Sequence, residues 1–173
     1  SIKMTEGANI REKHKEWFLE RKADLDMRYW NRYKKYLINK GFSSNVINTM
    51  DDVLDKLTDY LGDPCSNTEF QRRGLVIGDV QSGKTSNYTG LMCKAADAKY
   101  KVIILLTGTI EKLRRQTQSR IDEGFAGIKS TNGIHNDVKN AFVGVGKIDN
   151  KVFPKVLTTT ESDFKTSTAR GIV

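Results

Sequence analysis

The chain has few of the residues that staple, coordinate or anchor a protein. Its 173 residues include two cysteines, Cys65 and Cys93, and two histidines, His14 and His135. Two thiols cannot build a disulfide framework and their spacing fits no metal motif, so reduced thiols in the cytoplasm are expected. No apolar run approaches the ~20 residues that cross a bilayer. The opening Ser1-Ile2-Lys3-Met4 has no secretory-signal pattern. Position 1 is not an initiator methionine, and the end at Gly171-Ile172-Val173 reads as cut within a strand, so the chain is expected to be an N-terminal fragment of a longer protein. Internal repeats and low-complexity tracts are absent.

What is present is positive charge. Lysine and arginine outnumber the acids by 29 to 21, a formal +8. That balance favours a polyanionic partner such as DNA, with a merely solvated basic surface as the plain alternative. The length fits one domain, or one domain with a helical extension.

The most specific pattern lies at residues 74–85, GLVIGDVQSGKT. Gly78, Asp79, Val80, Gln81, Ser82, Gly83, Lys84 and Thr85 match G-x-x-x-x-G-K-S/T at every fixed position. Glycines let backbone N–H groups turn around the β- and γ-phosphates of ATP. Lysine adds a point charge, and the Thr85 hydroxyl can hold Mg²⁺ while a following helix aims its positive end at the anion. Before the loop stands the apolar run Gly74-Leu75-Val76-Ile77. After it, residues 85–100 read as a helix with Tyr88, Leu91, Met92 and Ala95 on one face, followed by a second apolar run at 101–106. Strand, loop, helix and strand make the βαβ unit that the motif requires. A glycine-rich turn without a ligand is the competing reading.

The rest of the chain divides around that unit. Residues 10–40 are charged and aromatic without proline or glycine, and Trp30, Tyr33 and Leu37 fall at i, i+3 and i+7. Gly41 can close this helix, and Ser43 or Ser44 can cap another that carries Val46, Met50, Val53, Leu54, Leu57 and Leu61 and stops at Gly62-Asp63-Pro64. Residues 129–150 read as loops with one short helix, and Val156-Leu157-Thr158-Thr159-Thr160 as a third strand. The expected fold is therefore α/β, a parallel sheet flanked by helices. A helical hairpin at 1–66 precedes a first RecA-like phosphate-loop lobe at 67–173.

A second candidate site follows the second apolar run. Thr107-Gly108-Thr109 makes a turn, Thr109 can cap a helix reaching Ile121, and Arg114, Arg115 and Arg120 follow on it. Hydroxyls and N–H groups at such a turn suit a phosphate backbone. The segment resembles the P-T-x-x-L-x-x-Q motif of superfamily-two helicases: Leu113 and Gln116 keep the L-x-x-Q spacing, Thr109 stands one residue further from Leu113 than the motif's threonine, and Gly108 takes the place of the proline. That resemblance implies DNA contacts from Thr107, Thr109, Arg114, Arg115 and Gln116. The aromatics Trp17, Phe18, Tyr29, Trp30, Tyr33 and Tyr36 lie among cations and could stack bases, but helix core is the better reading. Lys34-Lys35 remains as an outward basic face. Gln71 could read adenine or simply be an exposed residue. Glu161 and Asp163 do not follow an apolar strand and are not assigned as metal-binding acids.

Taken together, Tyr29-Trp30-Asn31-Arg32-Tyr33, the residues 73–91 around Val80-Gln81-Ser82-Gly83-Lys84-Thr85, Leu106-Thr107-Gly108-Thr109 with Leu113-Arg114-Arg115-Gln116-Thr117-Gln118, and Leu157-Thr158-Thr159 with Asp163-Phe164 resemble the Z-one domain family of bacterial proteins. The resemblance runs from about Tyr29 to the end. It implies a helicase-like ATPase core in a large protein ascribed an endonuclease role and encoded beside restriction or phage-defence components. It also implies that the Walker B acid, arginine finger and second lobe lie beyond Val173, so that the chain alone binds nucleotide weakly and hydrolyses it poorly. Two other readings stay open: a phosphate-loop switch or kinase indifferent to DNA, and a docking module with a vestigial loop.

Overall fold

Helices form where apolar spacing and end caps agree. In the computed structural model, which describes residues 14–76, 83–130 and 141–166, a short α1 spans Phe18–Lys22 and α2 spans Arg28–Asn39. They are followed by α3, Ser44–Tyr60, α4, Lys84–Asp97, and α5, Glu111–Ile121. α5 runs into a π-helical turn at Asp122–Ala126, and a 3-10 turn occupies Gly144–Lys147. The described residues divide into two compact units. One takes those up to Asn31 with Gly41–Ile103, the other Arg32–Lys40 with those from Ile104 onward.

In the first unit α1 and α4 pack on α3. Ser43 caps α3, its side chain accepting from Val46 N at 3.3 Å. α3 buries Ile47, Met50, Leu54 and Thr58, so its inward stripe is turned one position from the expected one and Val46 is exposed. Gly62 follows α3 at φ +87°, and the Phe70 ring lies where its Cβ would be, 2.8 Å away. The Tyr100 hydroxyl donates to Leu61 O at 2.7 Å and Gly62 O at 2.9 Å, satisfying carbonyls that the helix end leaves over. Residues 10–40 do not make one helix. Within the described part, α1 and α2 start separately because each N-terminus is capped by an acid from far along the chain. Asp59 Oδ1 accepts from Trp17 N and Phe18 N at 2.8 and 2.7 Å, and the Asp97 oxygens accept from Tyr29 N and Trp30 N at 3.0 and 2.9 Å. Trp30, Tyr33 and Leu37 are buried, which settles them as core.

In the second unit Arg32 is the hub. Its guanidinium donates to the carbonyls of Phe125, Asp149 and Val152 and, at 3.5 Å, of Ala126. It thereby ties the π-helical turn to the segment after the 3-10 turn. These two turns touch so closely that a Cβ at Gly146 would lie 1.9 Å from Gly127 O.

The expected parallel sheet does not appear among the described residues. Among the described residues there is no strand, only one antiparallel bridge between Ile128 and Phe142. Residues 74–76 and 101–106 are irregular, with Leu75, Ile104 and Leu106 exposed at 82, 76 and 88%. A strand exists only as one side of a hydrogen-bonded pair, and β-branched residues favour it only when a neighbouring surface covers them. Neither condition is met in these segments. The third expected strand is diverted by its own hydroxyls. Thr158 Oγ1 donates to Gln118 Oε1 at 2.5 Å, Thr160 Oγ1 to Ser130 O at 3.0 Å, and Thr159 Oγ1 accepts from Ser162 N at 2.9 Å in a turn. The architecture is helical with irregular connections, and the α/β reading, with its RecA-like lobe, is corrected accordingly.

Candidate functional site

Gly78, Asp79, Val80, Gln81 and Ser82 lie outside the described residues; Gly83, Lys84 and Thr85 are within them. Gly83 takes the left-handed conformation, φ 70° and ψ 35°, directly before the 14-residue α4. An L side chain is strained there, which is the physical demand behind a glycine at this place. The Gly83 carbonyl is fixed by Ser86 N at 2.9 Å, Asn87 N at 3.2 Å and Asn87 Nδ2 at 3.3 Å. Lys84 is exposed and Thr85 half-buried, both in the first turn of α4, where the helix concentrates positive potential. Among the described residues no group of three or more His, Cys, Asp or Glu could hold a metal. A Mg²⁺ ion here would take the Thr85 hydroxyl together with the phosphate oxygens of its nucleotide. The donor set, a cationic side chain and a hydroxyl at a helix N-terminus, fits a Mg²⁺-triphosphate.

α4 differs from its expected packing. It buries Thr89, Gly90, Cys93, Lys94, Ala95 and Asp97, while Tyr88, Leu91 and Met92 are half-buried. Cys93 is a buried free thiol and Cys65 an exposed one.

The second candidate site falls in the other unit. Thr107 and Thr109 are exposed, and α5 begins after Ile110 rather than at Thr109, with no side-chain cap. Arg114 turns inward. Its Nε and Nη2 donate to Glu111 at 2.9 and 2.8 Å, Nη1 to Thr159 O at 2.9 Å, and Nη2 to Thr160 O at 3.2 Å. These bonds use four of the five N–H groups of a guanidinium. Arg115 Nε lies 3.1 Å from Glu111, and Gln116 is exposed. The hydrogen bonds from Arg114 and then Arg115 pull the Glu111 carboxyl down to about 2. Gln71 is exposed, as are Glu161 and Asp163.

The strongest electrostatics sit where the sequence raised no flag. Lys94 is fully buried, ion-paired to Asp51 and Asp55, and lies 4.6 Å from the Trp30 ring centroid. Lys22 joins from α1, 2.7 Å from Asp55 and 3.5 Å from Asp51. Burial raises Asp51, but the hydrogen bond and charge of Lys94 outweigh it and leave the carboxyl below its usual value. Burial pushes Asp97 up to about 6 against the pull of the Trp30 and Tyr29 N–H groups. Burial likewise raises Asp122, which accepts from Gln118 Nε2 and Ser130 N at 2.9 Å each. Tyr36, also raised to about 12 first by burial, stays a neutral donor to Glu123 at 3.0 Å. One signal was available: Asp51 and Asp55 stand at i and i+4 beside the apolar stripe of α3, and such a pair calls for a cation.

Comparison with family models, curated proteins and solved structures gives no match. No helix among the described residues is long and apolar enough to cross a membrane.

Proposed function

We propose that the chain binds ATP with Mg²⁺ at the loop ending in Gly83-Lys84-Thr85, and that it is the ATP-binding part of a helicase-like, DNA-dependent ATPase. The observation that carries this reading is Gly83 in the left-handed region at the head of α4, with Lys84 and Thr85 in the first turn. A triphosphate needs that junction: a backbone free to bend, N–H groups aimed outward and a helix dipole behind them. In this reading Lys84 neutralises β- and γ-phosphate oxygens, the loop amides cradle them and Thr85 holds the metal. Bound Mg²⁺-ATP supplies the scissile phosphoanhydride. The contribution of this chain is to bind and orient it. The Walker B acid and arginine finger belong, in the resemblance, to further segments of a longer protein.

The setting follows from the same resemblance and from the +8 charge: DNA as partner, the bacterial cytoplasm as location, and a restriction or phage-defence system with an endonuclease role and subunits from the same operon. Calorimetric titration of Mg²⁺-ATP into the chain, beside Lys84→Ala, tests the binding step. Saturable binding that falls tenfold or more in Lys84→Ala is expected, with a matching loss of the ligand-induced rise in melting temperature. Equal binding by both proteins would move the nucleotide elsewhere, and no binding would favour the docking module. ATP turnover by the longer protein that does not respond to DNA would favour the switch or kinase.

A further inference from the structure

Asn87 stands one turn into α4, and its side chain leans back over Gly83. Its Nδ2 donates to the Gly83 carbonyl at 3.3 Å. The other end of the amide is left over: Oδ1 is buried and accepts from no group. Turning the amide round would set Oδ1 against the Gly83 oxygen, so the bond to Gly83 fixes which end is orphaned. For folding, the balance at this position runs against asparagine. A buried acceptor without a donor destabilises. Asparagine is also a poorer helix former than alanine. The one bond in its favour is long and reaches an exposed residue, so it adds little. A side chain that costs the fold more than it returns marks a position held for function.

We propose that Asn87 is a positioning residue for triphosphate binding, acting through the Gly83 carbonyl. The inference rests on the ATP reading above and adds a residue outside the phosphate-loop pattern, which ends at Thr85. The Gly83 oxygen is held by three donors, Ser86 N at 2.9 Å, Asn87 N at 3.2 Å and Asn87 Nδ2 at 3.3 Å. The first two belong to the helix itself; the third is a side chain added for this one oxygen. A carbonyl swung toward an anion repels it, whereas a carbonyl drawn back along α4 leaves the positive end of the helix facing the phosphates. Asn87 thus sets the direction of the Gly83 peptide at the point where the loop becomes helix, and it touches Gly83 rather than the nucleotide.

Calorimetric titration with Mg²⁺-ATP, beside melting curves taken without nucleotide, tests this on the wild type, Asn87→Ala and Asn87→Ser. Asn87→Ala is expected to melt at the wild-type temperature or a few degrees above it, and to bind Mg²⁺-ATP about threefold to tenfold more weakly, the worth of one hydrogen bond. Asn87→Ser keeps a donor, since a serine hydroxyl on a helix bonds the carbonyl one turn back, and it carries no amide oxygen to orphan. It is expected to recover most of the affinity without a fall in melting temperature. Wild-type affinity in Asn87→Ala would overturn the positioning role and leave ATP binding at Lys84 standing. Affinity and melting temperature falling together in Asn87→Ala would also overturn it, making Asn87 a support of the fold. A wild type that binds no Mg²⁺-ATP would overturn both readings.

Discussion

Two regions of the molecule invert the usual rule for what goes inside. Around α3 and α4 a lysine is fully buried, while at 101–106 leucine and isoleucine stand in solvent, Leu106 at 88% exposure. Lys94 can be buried because α3 brings two carboxylates to it, Trp30 covers its ammonium and its stem packs in the helix interface. Among the described residues the apolar run has no equivalent partner, so its hydrophobicity has little to act against there. Burial is decided by what the surrounding elements offer a residue, and polarity alone does not fix it.

The largest expected effect tests the first half of that contrast. Lys94→Ala leaves two carboxylates at a site built for a cation and should cost about 3–5 kcal/mol in urea denaturation. Combined with Asp51→Asn and Asp55→Asn it should cost less than the sum of the separate changes, because the three groups form one network. A loss below about 1 kcal/mol would show that the network is not closed in solution.

Next in size is a pH effect at Asp97. Its pKa is raised from 3.8 to about 6, mainly by burial. A carboxyl raised on folding holds its proton more tightly folded than unfolded, so the fold is fully favoured by this group below about pH 4. That advantage fades as pH rises through about 6. Wild-type stability is therefore expected to fall from pH 4 to 7 relative to Asp97→Asn, by up to about 3 kcal/mol. Asp122 shifts in the same direction but is present in both proteins and cancels in the difference. Parallel pH profiles for the two proteins would remove Asp97 as a buried cap.

The smallest effect tests the second half. Ile104→Ser with Leu106→Ser should change the unfolding free energy measured in urea by no more than about 0.5 kcal/mol, as surface substitutions do. A loss of about 2 kcal/mol or more would mean that these side chains are covered in solution, and the contrast would disappear.

Much of the helical part was legible. The spacing of Trp30, Tyr33 and Leu37, the Ser43 cap and the Gly62 stop are local signals, and α2 and α3 appear where they point. The head of α4 was legible too: the helix expected after the glycine-rich pattern starts at Lys84. The runs at 74–76 and 101–106 were misread, since apolar β-branched sequence promises a strand only if a neighbour pairs with it. The split of residues 10–40 into α1 and α2 was not readable either. Its cause is Asp59 and Asp97, 41 and 67 residues away from the amides they cap in Phe18 and Trp30.

The sequence by itself determined the main helical stretches, the Ser43 cap of α3, the basic charge and the glycine-lysine-threonine junction, because each depends on residues within a turn or two of one another. The tertiary structure decided the rest: which acids cap α1 and α2, how Lys94 is neutralised, that Arg114 faces inward, and that the apolar runs stay uncovered. Those outcomes depend on groups distant along the chain meeting in space, and no local pattern of residues encodes such a meeting.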